Sequence, residues 1–239
     1  MSIGNLFARP NLETTPLDGT LEDRRRRTSF FETPHRVEVD AVVRLPQRVW
    51  LSLRYLGASG SAYTYTIRGD ANADGIGTGT MTNDVPYVPR DRADIAIDGN
   101  GPAAGLGTAA QQDSVYDVLA RFIEGEPCLR QQRGRLLERN SCRNPWFGTL
   151  NARAMKAFPT VGGQSLELSV DVYNVLNLFS REWGQYRITT LDPGVPLLSL
   201  AGYDATAGRG IYRLQLPGFR QIQDLPSRWQ MELGVRYVF

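Results

Sequence analysis

From Arg36 to Leu45 the chain alternates. Val37, Val39, Ala41, Val43 and Leu45 fall on one side of an extended backbone, and Arg36, Glu38, Asp40 and Arg44 on the other, with Val42 out of step. Side chains of a strand point to opposite faces in turn, so this pattern predicts a β-strand with one apolar and one polar face. After Pro46 and Gln47 it resumes in RVWLSLRYL, where Val49, Leu51, Leu53 and Tyr55 oppose Arg48, Ser52 and Arg54. The short link predicts a tight hairpin, with the proline in a turn rather than in a ladder it would interrupt. A second pair flanks PTVGGQ (Pro159 to Gln164). GTLNARAMKAF alternates weakly before it; after it, SLELSVDVYNVLNLF sets Leu166, Leu168, Val170 and Val172 against Glu167, Ser169 and Asp171. In the final stretch WQMELGVRYVF, every second residue from Trp229 to Phe239 is apolar. Five strands are expected, at about 35–45, 48–57, 148–158, 165–178 and 228–239. One helix is predicted over Asp113–Glu126, where Val115, Val118, Leu119 and Phe122 recur at helical spacing and Asp113 or Ser114 is placed to cap the start.

The spacing between these strands is lopsided. Two links are very short, whereas 58–147 and 179–227 are long and rich in Gly, Asp, Asn, Pro and Arg. Structureless loops of that length argue against a compact soluble domain. Short turns on one side and long loops on the other are what an outer-membrane barrel shows. Charges on the non-apolar face (Arg36, Glu38, Asp40, Arg44, Arg54, Glu167, Asp171, Glu232, Arg236) suit a wet lumen, and Trp50, Tyr55, Trp229 and Tyr237 near strand ends suit aromatic girdles. The expected fold class is all-β: an antiparallel transmembrane β-barrel segment of about five strands with long extracellular loops and one short helix. It is incomplete on its own, because even small barrels need about eight strands. A soluble β-sandwich is the alternative that pattern alone leaves open.

Composition adds limits. A net charge of +2 over 239 residues gives no electrostatic case for nucleic acid. The basic run Arg24 to Arg27 reads either as a solvated loop tip or as a contact for an anionic surface such as lipopolysaccharide. No apolar stretch is long enough for a transmembrane helix, and the opening residues lack the regions of a signal peptide. Cys128 and Cys142, with His35 as the sole histidine, cannot make a four-ligand zinc site. They read as a local disulfide in an oxidising compartment, or as two buried thiols. Asp70, Asn72 and Asp74 followed by Gly75 match the first half of a calcium loop, whose alternate oxygens surround a hard cation. Met81 stands where the bidentate glutamate belongs, so the candidates are a looser calcium site completed by Asp84, Asp91 or Asp94, or a plain polar loop. A lone histidine beside Pro34, no phosphate-cradling motif and no carboxylates brought to glycosidase spacing make an enzyme unexpected.

Several stretches carry a resemblance: GSAYTYTIRGDANADG, NDVPYVPRD (Asn83 to Asp91), CLRQQRGRLLERNSCRNPW (Cys128 to Trp146), LELSVDVYNVLNLFSREWG (Leu166 to Gly184) and the terminal SRWQMELGVRYVF. Together they resemble the C-terminal part of TonB-dependent outer-membrane receptors of the Oar-like group. The resemblance implies a 22-stranded barrel with an N-terminal plug and a TonB box, and energised ligand uptake or, in some members, a surface or adhesion role. No plug, TonB box or signal peptide is legible here. The expectation is therefore the last quarter of such a receptor, reaching TonB and the plug domain only through a missing N-terminal part. It implies a Gram-negative outer-membrane location, contact with lipid and lipopolysaccharide, and recognition of Tyr237 and Phe239 by the outer-membrane assembly machinery. On this organisation 1–34 is a loop, 35–57 and 148–178 are hairpins with periplasmic turns, 58–147 and 179–227 are extracellular loops, and 228–239 is the terminal strand. The competing expectation is a soluble β-rich binding module, or a surface adhesion protein, that uses 58–147 for recognition.

Overall fold

In a computed structural model the described residues are 26–73, 75, 83–100, 106–190 and 194–239. The elements, in order, are β1 (Arg36–Leu45), β2 (Val49–Ala58), β3 (Ala62–Arg68), β4 (Tyr87–Val88), β5 (Ala96–Ile97), α1 (Ala109–Gly125), α2 (Pro127–Arg130), β6 (Arg135–Leu136), β7 (Cys142–Arg143) and β8 (Phe147–Pro159). They continue with β9 (Ser165–Tyr173), α3 (Val175–Phe179), β10 (Arg187–Ile188), β11 (Gly194–Asp204), β12 (Arg209–Leu214), β13 (Gln221–Ile222), α4 (Asp224–Ser227) and β14 (Gln230–Val238). The chain is mostly β-sheet, and it forms two compact units.

One unit, Thr33–Gly60 with Asn144–Ile188 and Phe219–Phe239, is built on a five-stranded sheet of order β1-β2-β8-β9-β14 in which every neighbouring pair is antiparallel. The β1–β2 turn puts Gln47 and Arg48 at φ of 63° and 58°, and the β8–β9 turn uses Gly162 and Gly163 at 73° and 83°. Left-handed backbone is costly for residues with a Cβ, and glycine relieves it in the second turn only. The last expected strand of the central hairpin ran to 178, but β9 stops at Tyr173. Asn174 takes the left-handed conformation at φ 53°, which asparagine tolerates, and the following VLNLF coils into α3.

The other unit holds Ser61–Arg143 and Thr189–Gly218 with residues 26–32 as the described part of its first segment. It overturns the expectation that 58–147 and 179–227 are loops relieved by one helix. Its sheet, β5-β12-β11-β3-β7, is drawn from both segments, with β11 parallel to β3 and β12 parallel to β5. A short β4–β6 ladder joins it. The six residues Ala62–Ile67 of β3 are all buried. A strand covered on both faces has no alternation to reveal it. Tyr63, Tyr65, Ile67, Val88, Ile97, Leu119, Ile123, Leu129, Leu137, Val195 and Leu197 make one core. Helix α1 starts earlier than Asp113 because Thr108 and Gln111 form a reciprocal capping box. The Thr108 Oγ1 accepts the Gln111 N–H at 3.3 Å, and Gln111 Oε1 accepts the Thr108 N–H at 2.7 Å. Ser114, inside the helix, donates instead to the Ala110 carbonyl.

Candidate functional site

The antiparallel register decides what each face of the five-stranded sheet carries, because directly opposed residues point the same way. Val43 opposes Leu51, Leu51 opposes Ala154, Ala154 opposes Val170, and Val170 opposes Leu233. Rows above and below repeat the pattern: Ala41, Leu53, Ala152, Val172 and Met231 in one, Phe158, Leu166 and Tyr237 in another. All five strands therefore present most of their apolar residues to one face, with Val42, Trp50, Leu56 and Met155 on the other. Among the described residues nothing covers that face. Val39, Val43, Leu53 and Met231 are exposed, and Leu233 and Val235 are each 73% exposed. Such a run of exposed aliphatic side chains across five strands is unusual, because the largest apolar patch of a typical monomer covers roughly 300–600 Å².

The opposite face is a lattice of charge. Arg54 faces its cross-strand partner Asp40 at 3.6 Å and reaches Glu38 at 3.8 Å, while Arg36 pairs with Glu38. Arg153 meets its partner Asp171 at 3.7 Å, Arg236 meets its partner Glu167 at 3.8 Å, and the Tyr173 hydroxyl donates to Glu232 at 3.3 Å. Exposed pairs of this kind contribute about 0–1 kcal/mol each, so they order a wet surface more than they hold the fold.

The two ends of the sheet differ. At one end, the short turns, Tyr237 donates to Gln164 of the β8–β9 turn and its ring lies 6.3 Å from that of Phe239, which is exposed. At the other end, Tyr55 and Trp146 cover the opposed pair Gly57 and Gly148. A Cβ on Gly57 would come within 2.7 Å of the Trp146 ring, and one on Gly148 within 2.7 Å of the Tyr55 hydroxyl. Trp50, by contrast, sits opposite Arg44 on the charged face. Asn174 anchors this end. Its backbone N–H donates to Asn151 Oδ1, and its side-chain amide donates to the carbonyls of Gly184 and Ser227, each at 2.9 Å. It fixes the corner leaving β9 to the segment entering β14, a role whose only trace in the sequence is asparagine's tolerance of left-handed backbone. Nearby, Asn177, Phe179, Arg181, Gln185, Arg228 and Trp229 line an open cleft of about 690 Å³.

The remaining candidates lie elsewhere. Cys128 and Cys142 form a disulfide that ties α2 to β7. Asp70 accepts the Gly75 N–H at 2.9 Å, and Asp84 accepts those of Ala71 at 2.6 Å and Asn72 at 3.3 Å. Asp74 lies outside the described residues, as do Met81, Arg24 and Arg25. Asp91 accepts the Ala93 N–H at a 3₁₀ turn, and Asp94 takes the Arg90 guanidinium at 3.0 Å, which holds its carboxyl down at about 2. Among the described residues no group of three or more His, Cys, Asp or Glu is placed to hold a metal ion. His35 is exposed at the start of β1. In the core of the second unit, Glu126 accepts from both Tyr63 and Tyr65 at 3.3 Å. Burial pushes the Tyr63 phenol up to about 12, and burial together with Tyr63 pushes Tyr65 further in the same direction. Asp98, although buried, stays ionised below the usual range because the Asn100 N–H and Arg213 outweigh its desolvation.

No family model, curated protein or solved structure matches this chain.

Proposed function

We propose that the five-stranded sheet is a length of outer-membrane β-barrel wall, of the kind found in TonB-dependent receptors of the Oar-like group. The observation that carries the reading is the register, which gathers most of the aliphatic strand residues onto one uncovered face and sets a charge lattice on the other. Lipid is the solvent that such a face fits; water or a plug fits the lattice. The dimensions agree. From Gly148 to Phe158 the strand rises ~33 Å, or ~23 Å of height at ~45° tilt, close to the ~25 Å apolar band of such barrels. Both long insertions leave and re-enter the sheet at one end, and both short turns lie at the other. On this reading the turns are periplasmic, and the disulfide-bonded unit is the extracellular surface available for ligand or cell contact. Its cystine suits that compartment. β1 and β14 each leave a backbone edge unpaired within the sheet, which lipid does not tolerate, so the wall continues through strands beyond these five. The role is non-enzymatic, and Tyr237 with Phe239 serve as the assembly signal at the final strand.

The competing reading, a soluble β-rich binding or adhesion module, draws on the second unit having a core and disulfide of its own. Fractionation separates the two. The wall reading expects the chain to sediment with membranes and to require detergent for release. Recovery from the aqueous phase as a stable monomer without detergent overturns it.

A further inference from the structure

Lys156 is the only lysine among 27 lysines and arginines, and it is the only charged side chain on the apolar face of the sheet. Its cross-strand neighbours are Val49 and Leu168, and its Nζ lies 5.0 Å over the Phe158 ring. It stands at the turn end. The backbone N–H of the next residue, Ala157, donates to the carbonyl of Arg48 in the β1–β2 turn at 3.0 Å. Arg36, Arg54, Arg153 and Arg236 on the charged face each meet a carboxylate, but among the described residues neither Lys156 nor Arg48 makes an ion pair. Two cations therefore sit without counter-charge at the rim of a bare apolar band. One of them has a long flexible stem that can lie along apolar surface while its ammonium reaches water.

Resting on the wall reading, we infer that Lys156 and Arg48 bind the phosphodiester of an anionic glycerophospholipid in the leaflet on the turn side. Phosphate is the anionic group that occupies the depth where an apolar band meets water, beside the aromatic rings that favour the same depth. The glycerol and acyl chains of such a lipid would run from there toward mid-sheet, over Val49, Leu51, Leu168 and Val170. The carboxylates of the charged face point away from this rim, because Lys156 and the ion-paired arginines occupy opposite faces of the pleat.

The test uses the full chain with vesicles of pure phosphatidylcholine or of a two-to-one mixture with phosphatidylglycerol. Partition is read by flotation, and Lys156 reactivity by acetylation resolved at the peptide level, which keeps the terminal amine separate. Phosphatidylglycerol should raise partition and slow acetylation of Lys156. Lys156→Gln and Arg48→Gln should each remove roughly fivefold of that gain, as expected for one cation at an anionic surface, whereas Lys156→Arg, and Arg130→Gln in the other unit, should keep it. Equal partition into both vesicles, or an undiminished gain in the double glutamine variant, overturns the lipid-phosphate site and leaves the wall reading intact. Failure to partition into either vesicle overturns both.

Discussion

Leu233 gives the sharpest contrast between a lipid-facing and a water-facing sheet. It lies in the middle of β14, opposite Val170 on the apolar face and 73% exposed. Replacing it with arginine in a soluble module changes an already exposed site, and such substitutions fall within about 0.5 kcal/mol. In a bilayer, Leu233 lies near mid-height, four residues from Tyr237 at the turn-side rim. Arginine at that depth costs about 2–4 kcal/mol, and withdrawing leucine from lipid forfeits roughly another 1.5–3 kcal/mol. A total on the order of 4 kcal/mol corresponds to about a thousandfold in partition. Flotation with phosphatidylcholine vesicles measures this directly, with Glu232→Gln on the charged face as the companion variant expected to stay within a few-fold of the parent. If Leu233→Arg floats as well as the parent, or if it raises yield in water with no loss of membrane association, the assignment of this face to lipid is wrong.

Removing the disulfide with Cys128→Ser and Cys142→Ser should destabilise the cored unit by about 3 kcal/mol through restored freedom of the unfolded chain, seen as a lower denaturation midpoint by tyrosine fluorescence with the far-UV β-signal of the wall unchanged. Alkaline pH should act on the same unit. The Tyr63 phenol is raised from 10.0 to about 12, so its contribution is complete below pH 10 and is lost as pH rises through 12, a difference on the order of 3 kcal/mol. Absorbance of tyrosinate should show at least one late phenol ionising together with loss of near-UV circular dichroism; titration of every tyrosine near 10 with the fold intact would contradict it. Asn174→Ala should cost about 1–3 kcal/mol, because the carbonyls of Gly184 and Ser227 lose their donor, and hydrogen exchange should rise in α3 and α4 before it rises in β1 or β2.

How far the sequence exposes this structure depends on which surfaces an element buries. β1, β2, β9 and β14 are legible residue by residue, because one face is apolar, the other charged, and neither is shared with a second layer. β8 is fainter: Gly148, Ala152 and Ala154 carry little hydrophobic weight, and Lys156 stands in the apolar row, so only its neighbours reveal its phase. β3 is not legible at all. AYTYTI is buried on both faces, its tyrosine hydroxyls are satisfied by Glu126 at a distance of some sixty positions, and its strand partners come from the far side of the chain. The two-residue strands β4 to β7 exist only as tertiary pairings. Of the site, the apolar and charged rows and the cysteine pair can be read from spacing. Asn174 cannot, because its contribution is two carbonyls supplied by segments that the linear pattern does not connect. The calcium-like run shows the converse: a local motif whose Asp70 carboxylate accepts a backbone amide.

The parallel pairing of β3 with β11 joins Tyr65 to Val195, positions roughly 130 apart, with the whole of the β8–β9 hairpin synthesised between them. The cored unit therefore cannot close until nearly all of the chain is available, and its first-made half must wait with Tyr63, Tyr65 and the α1 face uncovered. The hairpin of β8 and β9, with a turn of five residues, has no such wait. Order of appearance along the chain is thus the reverse of order of completion: the early segment finishes late, and its cystine, closing a short span inside that early segment, is the one covalent restraint able to limit its wandering in the meantime.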